Sequence, residues 1–207
     1  LKDWFMSIFG WMVIVTSGSI QVGDRIKVNR NGVEAVGDVL DISLFKITIR
    51  EDITLTSYTT NRRTGRIFFI PNNYIFSEMI ANYTHSGLRT VWDGIDITIT
   101  FDSNHKKAQK IARDILKHYS KGYTDITRKQ LSKMRSKYQL RATGVEPRVF
   151  TFVEPQGIVI SSWYLTNSYA ALVLRSTISP EILDAFMKED DIHIAYPTQQ
   201  ININRTD

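Results

Sequence analysis

The side chains best suited to catalysis or metal binding in this sequence are histidines and one acidic triplet: His85, His105, His118, His193 and Glu189-Asp190-Asp191. Zinc sites place their ligands at short, regular spacings, and these histidines lack such spacing. The chain contains no cysteine, which excludes disulfides, iron–sulfur clusters and thiol catalysis. We therefore interpret the histidines as structural or surface residues and the triplet as a solvated helix end.

Motifs for nucleophilic catalysis and nucleotide binding are also missing from the sequence. It has no G-x-S-x-G, no Gly-rich phosphate loop and no G-x-G-x-x-G. The sequence thus predicts no catalytic residue, no metal site and no cofactor, and we do not expect an enzyme.

Composition indicates a folded chain with a mild positive charge. At 207 residues and 43% hydrophobic, it has room for one or two domains with real cores. A net charge of +5 would tolerate an anionic membrane surface, nucleic acid or anionic solutes, but it demands none of them.

The opening segment is unusual because the twenty residues from Trp4 to Gly23 include no Asp, Glu, Lys or Arg. Apolar residues cover every helical face of this run. A secretory signal is one interpretation, although Asp3 cancels the basic residue Lys2. A buried helix of a soluble domain and a membrane-associated helix are the others. Residues 1–17 would extend about 25 Å as a helix, somewhat less than a hydrocarbon core of about 30 Å.

Small and basic residues refine the membrane interpretation. Ser7 and Gly10 would let another helix approach closely. Arg25, Lys27 and Arg30 follow the run, and the positive-inside tendency then places everything after the helix in the cytoplasm. Because the chain begins with Leu1 rather than Met, we expect further residues before it.

Residues 18–86 read as a small β domain. Asn31-Gly32 between two β-type runs predicts a hairpin. Alternation at Phe45, Ile47 and Ile49 predicts a half-buried strand, which "ITLTSYTT" continues, and "RIFFIP" predicts another strand. Gly37 within one strand suits the bulge that a compact barrel requires.

Residues 87–198 have the pattern of an α/β sandwich. Ile95, Ile97, Ile99 and Phe101 share one face of a predicted strand, Asp102-Ser103 can cap a following helix, and Ser179-Pro180-Glu181 starts or restarts a second helix. The order βαββαβ is ferredoxin-like. The segment 128–141, with six basic residues and no acidic one, reads as an insert after the first helix. The predicted fold class is α+β.

Five segments in this order resemble the bacterial small-conductance mechanosensitive channel family: "IQVGDRI", "VGDVLDIS", "IPNNYI", "IANYTHS" and "IHIAYPTQQI". The resemblance covers nearly the whole chain. It implies a membrane-proximal pore helix (1–17), a small Sm-like β-barrel domain (18–86), a ferredoxin-like α/β domain (87–198) and a C-terminal strand (199–207).

The resemblance also implies a function and partners. The implied function is that of a channel subunit, in a channel that membrane tension opens and that releases ions and small solutes during osmotic downshock. The implied assembly is a homo-oligomer of seven subunits. The expected location is the bacterial inner membrane, with the lipid bilayer and the permeating solutes as partners and the chain after residue 17 forming a cytoplasmic vestibule. The pore-lining helix with its constriction would precede Leu1.

The sequence departs from the family pattern at several places. Gly18-Ser19-Ile20 stands where many relatives have Arg-Pro-Phe, and Asp3 stands where the bending glycine of the pore helix is expected. The turn "REDITLTSYTTNRRTGR" and the insert 128–141 are longer than usual.

Site residues follow from the resemblance and from local chemistry. Gly10 and Gly18 are candidates for a bend or end of the helix, although Gly10 could simply pack and Gly18 simply cap. Gly23, Asp24, Pro71, Asn72 and Asn82 are expected to have structural turn roles, with Asp24 bonding backbone amides. Ile201 and Ile203 lie on one side of "ININ", a strand that needs partners from other subunits.

A Sm-like nucleic-acid-binding module is the alternative of another class, because a small barrel with a basic insert could bind RNA. The basic segment lacks interleaved aromatic residues apart from Tyr138, and a solvated helical face explains it as well. We expect no nucleic acid partner.

Overall fold

A computed structural model describes residues 2–54, 64–135, 138–139 and 144–196. The chain divides into two compact units. The first, called the β unit, comprises residues 1–91, 126–142 and 167–172, and the second, the α/β unit, comprises residues 92–125, 143–166 and 173–207. The α+β class predicted from the sequence is confirmed.

The β unit contains the N-terminal helix, Lys2–Ser17, and a five-stranded antiparallel sheet. Its strands pair in the order β4-β3-β2-β1-β5. They are β1 Arg25–Arg30, β2 Val33–Ile42, β3 Lys46–Glu51, β4 Ile67–Pro71 and β5 Ile80–Asn82. Two 3-10 helices, Asn72–Phe76 and His85–Gly87, flank β5.

Two glycines explain the geometry of this sheet. Asn31 and Gly32 have positive φ angles of 51° and 79°, as the predicted hairpin requires. A Cβ atom on Gly37 would lie 2.2 Å from the carbonyl oxygen of Arg50, so only glycine lets β2 and β3 approach this closely. The register between these strands shifts just beyond, between Val39 and Asp41.

The core of the β unit includes a residue of the N-terminal helix. Ile14 is fully buried together with Ile26, Ile47 and Ile49 of the sheet. The helix is thus anchored to the sheet through its last turn.

The α/β unit contains most of β6 Thr90–Ile99, the long helix His105–Met134, β7 Arg148–Glu154, β8 Gly157–Asn167 and the last helix Ala171–Met187. Residues 90–91, 126–134, 167 and 171–172 of these elements belong to the β unit. Strand β8 lies between β6 and β7. The predicted strand "IHIAYP" is reduced to one antiparallel bridge between Ile194 and Ile99. The ferredoxin-like order is therefore present.

Three details of this unit differ from the sequence-based expectations. Strand β6 ends at Ile99, so Phe101 lies in a turn and is 59% exposed. Asn104 caps the long helix by accepting a hydrogen bond from the amide of Lys107 at 3.1 Å. The last helix begins at Ala171 and contains Pro180 on its exposed side, where water can satisfy the carbonyl that proline leaves unpaired.

The basic segment 128–141 is, over its first half, the end of the long helix rather than a separate insert, because that helix continues to Met134. The strand prediction for "ITLTSYTT" falls mainly on residues 55–60, which lie outside the described residues. The predicted tail strand with Ile201 and Ile203 also lies outside them.

Candidate functional site at the helix–sheet junction

The N-terminal helix packs on the 3-10 helix Asn72–Phe76 through small residues. Ser7, Gly10 and Ile14, which share one helical face, are buried. A Cβ atom on Gly10 would lie 2.3 Å from the carbonyl oxygen of Asn72, closer than any real contact allows. Glycine is therefore required for the helix to lie this close to the sheet domain.

Asn72 holds the other side of this contact in place. Its backbone amide donates to the carbonyl of Phe45 at 3.0 Å, and its side-chain Nδ2 donates to the carbonyl of Ser43 at 2.8 Å. The residue is completely buried and follows Pro71, the last residue of β4. These bonds join the 3-10 helix to the turn between β2 and β3.

The remaining surface of the N-terminal helix is apolar and bare. Its side chains with exposed fractions between 40% and 69% are Trp4, Phe5, Phe9, Met12, Val13 and Val15. The helix has 16 residues, and none of the helices among the described residues is both long and apolar enough to span a bilayer. One face of this helix thus contacts its own chain, and the other has no cover within the described residues.

An open cavity of about 560 Å³ lies under the first turns of the helix. Its walls include Trp4 and Phe45, whose ring centroids are 5.8 Å apart, and Arg30, whose guanidinium lies 4.3 Å from the ring centroid of Tyr74. The start of the helix is therefore packed less closely on the β unit than its end, where Ile14 lies in the core.

The helix ends at a glycine in the left-handed conformation. Gly18 has a φ of +62°, and its amide donates to the carbonyl of Ile14 at 3.0 Å. Such a residue terminates a helix at little steric cost. Gly23 follows with a φ of +90°, and its amide donates to the carbonyl of Val39 at 2.8 Å.

Asp24 organises the turn between the helix and β1. Its Oδ2 accepts hydrogen bonds from the amide of Gln21 at 2.8 Å and from Nδ2 of Asn82 at 2.7 Å. Its Oδ1 accepts from the hydroxyl of Thr84 at 2.9 Å, and Asn82 also donates to the carbonyl of Ser19 at 2.9 Å. The structure thus brings Asp24 and Asn82 together, and adds Thr84, which sequence reasoning had missed.

Arg25, which the sequence singled out only as one of three basic residues after the helix, forms a second polar cluster. Its guanidinium donates to Asp38 at 2.8 Å and 3.0 Å and lies 2.6 Å from Asp52. It also donates to the carbonyl of Ser168 at 2.8 Å and lies 4.6 Å from the ring centroid of Tyr169. Asp38 is the cross-strand partner of Arg25 in the β1–β2 hairpin. Asp52, Ser168 and Tyr169 lie outside this hairpin, so no local pattern signals the whole cluster.

The charge of Arg25 is secured by its partners. Burial lowers the pKa of this residue, but the hydrogen bond to Asp38 and the charges of Asp38 and Asp52 outweigh burial and raise its pKa above the usual value. Only 9% of its side chain is exposed. Arg25 is therefore a buried charged residue that connects several segments of the β unit.

The histidine and acidic side chains considered for catalysis or metal binding contact other side chains of the chain. His85 Nε2 lies 2.7 Å from the hydroxyl of Tyr138. Lys107 lies 2.5 Å from Glu189 and 2.8 Å from Asp191, and its hydrogen bond lowers the pKa of Asp191. Within the described ranges, no three potential ligands are grouped to hold a metal ion. The acidic triplet is therefore partly ion-paired rather than simply solvated.

Comparison with sequence models of protein families gives two matches that together include most of the chain. Residues 3–85 match the family described as "Mechanosensitive ion channel, beta-domain". Residues 93–190 match "Mechanosensitive ion channel MscS, C-terminal". A search of curated protein sequences gives no significant match.

Solved structures share the fold. The closed-state MscS of Helicobacter pylori has a TM-score of 0.65 at 15% identity, over 100% of this chain and 68% of that one. Arabidopsis thaliana MSL1 has a TM-score of 0.58 at 14% identity, over 94% of this chain and 60% of that one. A second structure, of wild-type AtMSL1, has a TM-score of 0.59 at 12% identity, over 95% and 58% of the two chains. At such identities the likeness shows the fold alone.

Proposed function

Since the chain belongs to the mechanosensitive ion channel family, we propose that it forms the part of a channel subunit that opens under membrane tension and releases ions and small solutes during osmotic downshock. No chemistry or cofactor is involved in this function. Tension favours the conformation with the larger area in the membrane, so it shifts the population toward the open channel.

The observation that carries the proposal is the two-sided nature of the N-terminal helix. Its Ser7, Gly10 and Ile14 face packs on the β unit, while its Trp4 and Phe9 face is apolar and exposed. In a channel, the exposed face would contact lipid or the helices of other subunits. A movement of the membrane part would then reach the β unit through the contact between Gly10 and Asn72.

The glycines have distinct proposed roles. Gly10 keeps the helix close to Asn72, and a bend at this position would break that contact. Gly18 ends the helix and permits its direction to change relative to the turn that follows. Gly23, Asp24 and Asn82 hold that turn through backbone bonds, so that the helix moves against a fixed base.

The proposed assembly is a homo-heptamer in the bacterial inner membrane. Residues 1–17 belong to the pore end, and residues 18–86 and 87–198 form the wall of a cytoplasmic vestibule. Residues 199–207 contribute one strand per subunit to a closing barrel, with Ile201 and Ile203 on one side of each strand. A hydrophobic constriction outside this chain would gate the pore by dewetting.

Patch-clamp recording of the full-length protein in a bilayer tests the proposal. Suction should open a current, and cells that lack their own tension-gated channels should survive osmotic downshock better when they express the protein. A correctly inserted and assembled protein that gives no current up to the tension at which the bilayer ruptures would contradict the proposed function.

A further inference from the structure

The sheet of the α/β unit has one face that its own helices do not cover. The inner face carries Ile95, Ile160 and Tyr164, which are buried against the long and last helices. The outer face carries four large aromatic side chains with exposed fractions from 40% to 52%: Trp92, Phe150, Phe152 and Trp163.

Strand register places these aromatic residues on the same face. Arg148 of β7 pairs with Trp163 of β8, and Phe152 pairs with Val159. Residues that pair across two strands, and residues an even number of positions apart in one strand, project to the same face, so Arg148, Phe152 and Trp163 share a face. The guanidinium of Arg148 lies 5.5 Å from the ring centroid of Trp92, which joins β6 to this face. Phe150 and Phe152 stack with centroids 6.2 Å apart. We call this surface the aromatic face.

The aromatic face is preorganised. Trp163 lies over Gly94, whose missing side chain makes room for the indole, and its Nε1 donates to the hydroxyl of Ser161 at 3.0 Å. That hydroxyl donates to Asp96 at 2.6 Å. With four partly exposed aromatic side chains of roughly 200 Å² each, the bare aromatic area is about 350 Å². The largest apolar patch on a soluble monomer is often of this size, and such patches are often functional.

The last helix carries a second apolar surface on the opposite side of the same unit. Ile178, Ile182 and Phe186 point into the core. The outward side chains recur at i, i+3, i+7, i+10 and i+14, which is the spacing of a contact stripe along a helix. They are Val173, Ser176, Pro180, Leu183 and Met187, and the exposed fractions of Val173 and Met187 are 69% and 67%. We call this surface the helix stripe.

The two surfaces lie on opposite sides of a two-layer unit, because the sheet and the last helix bury their other faces against each other. We propose that the aromatic face of one copy receives the helix stripe of the next copy of this chain. This inference rests on the homo-oligomer of the proposed function. A contact between two different surfaces is heterologous, so each copy keeps one surface free for the next. Such a series closes into a ring when the rotation between neighbouring copies permits closure.

Area and charge both favour a second copy as the occupant. A standard interface buries about 800 Å² on each partner. The exposed aromatic side chains of the aromatic face, with about 350 Å², would supply nearly half of that area. Single-stranded nucleic acid also stacks on aromatic sheet faces, but it requires a positively charged groove. The charged residues of the three strands on this face are Arg148, Asp96 and Glu154, and two of these three are acidic.

Cysteine cross-linking of the full-length protein in membranes tests the contact, since residues 1–207 contain no cysteine and any cysteine elsewhere can be replaced by serine. The substitutions Phe152→Cys and Met187→Cys place one cysteine on the aromatic face and one on the helix stripe. A flexible bis-maleimide then cross-links cysteines that lie close together. The double variant should give a ladder of covalent multimers. Co-expression of the two single variants should give covalent dimers and nothing larger, and each single variant alone should stay a protomer.

Val153 provides the matched control. It neighbours Phe152, is 77% exposed and projects to the other side of β7, so Val153→Cys with Met187→Cys should cross-link at least tenfold less. A charge test is independent of cross-linker reach. Phe152→Asp should raise the fraction of dissociated protomer in native mass spectrometry at least tenfold over Val153→Asp, with unchanged circular dichroism.

Several results would overturn the inference. Covalent dimers of Phe152→Cys alone would indicate a sheet-to-sheet contact, and equal cross-linking of the Val153 control would indicate random collision. Protection of Phe152→Cys from maleimide by single-stranded RNA, with no ladder, would assign the aromatic face to nucleic acid. Tension-activated current without the ladder would contradict only this inference, whereas the ladder without current would contradict only the proposed function.

Discussion

The carbonyl oxygen of Asn72 occupies the space where Gly10 would carry a side chain, 2.3 Å from the point at which a Cβ atom would stand. The obstacle is backbone, since the carbonyl carbon of Asn72 and the amide nitrogen of Asn73 follow at 2.6 Å and 3.1 Å. A flexible side chain could move aside, but this backbone is held by the bonds of Asn72 to Phe45 and Ser43.

Gly10→Ala should therefore push the helix away from the β unit. We expect a loss of about 1 to 3 kcal/mol in the free energy of unfolding, as for other overpacked sites, and a changed tension threshold. Gly122→Ala is the matched control, because Gly122 lies in the long helix with no atom near the added methyl group. It should stabilise the protein by about 0.5 to 1 kcal/mol. Denaturant unfolding in detergent and patch-clamp recording measure both variants, and an equal response to the two substitutions would contradict the packing argument.

Removal of the Arg25 guanidinium should destabilise the β unit more than removal of a surface cation. For Arg25→Met we expect a loss on the order of 2 kcal/mol, since several charged hydrogen bonds disappear while water can still reach Asp38 and Asp52. Lys27→Met is the control, because the pair of Lys27 and Glu34 lies at the surface and is worth less than about 1 kcal/mol. Urea unfolding compares the two variants. A larger loss in the free energy of unfolding for Lys27→Met would contradict the prediction that Arg25 stabilises the β unit more than a surface cation does.

Acid should weaken the β unit through Glu51. The side chain is 6% exposed and accepts hydrogen bonds from Arg66 at 2.8 Å and 2.7 Å, which lower its pKa. A carboxylate with a lowered folded-state pKa stabilises the protein above its unfolded pKa of about 4.3, and this stability is lost as the pH falls through the folded value.

Glu51→Gln should therefore reduce the dependence of stability on pH between about pH 5 and pH 3. Arg66→Gln should have the same effect, because it removes the other partner of the same pair. Thermal unfolding at several pH values measures both slopes. If the unsubstituted protein and both variants lose stability in parallel on acidification, another group is responsible.

Membrane dependence should reside in the start of the N-terminal helix. Deleting residues 1–13 removes the exposed Trp4, Phe5 and Phe9 but retains Ile14 in the core. We expect the shortened chain to remain dispersed without detergent, because its other elements are amphipathic rather than apolar on every face. Size-exclusion chromatography with and without detergent tests this. Aggregation of a correctly folded deletion variant on detergent removal would show that the membrane boundary lies elsewhere.

The tail should stabilise the oligomer rather than the subunit. A strand at "ININ", as we propose, would need partners from other subunits for its backbone groups, and burying each isoleucine would contribute roughly 1.5 to 3 kcal/mol. Ile201→Asp with Ile203→Asp should lower oligomer stability and leave circular dichroism unchanged. Asn202→Asp with Asn204→Asp changes the other side of the strand and should have a smaller effect. Native mass spectrometry checks this, and equal dissociation of the oligomers that carry the two pairs of substitutions would contradict the proposal that the isoleucine side is the buried one.

Local patterns in the sequence determined the elements, their order and the family. Asn31-Gly32 specified the hairpin because both residues accept positive φ, and alternation at Ile47 and Ile49 specified β3, since neighbouring residues alone decide such features. The ferredoxin-like order followed in the same way. Element ends were less determined: the long helix absorbed the first half of the basic segment, and the last helix began well before Pro180.

Tertiary structure alone decided which distant groups meet. The need for glycine at position 10 arises from the backbone of Asn72, and the hydrogen bond from Arg25 to Ser168 spans 143 positions. Similarly, Trp92, Phe150, Phe152 and Trp163 form one surface only because β6, β7 and β8 pair in that register. Contacts of this kind depend on the packing of whole elements, which no periodicity within a single element encodes.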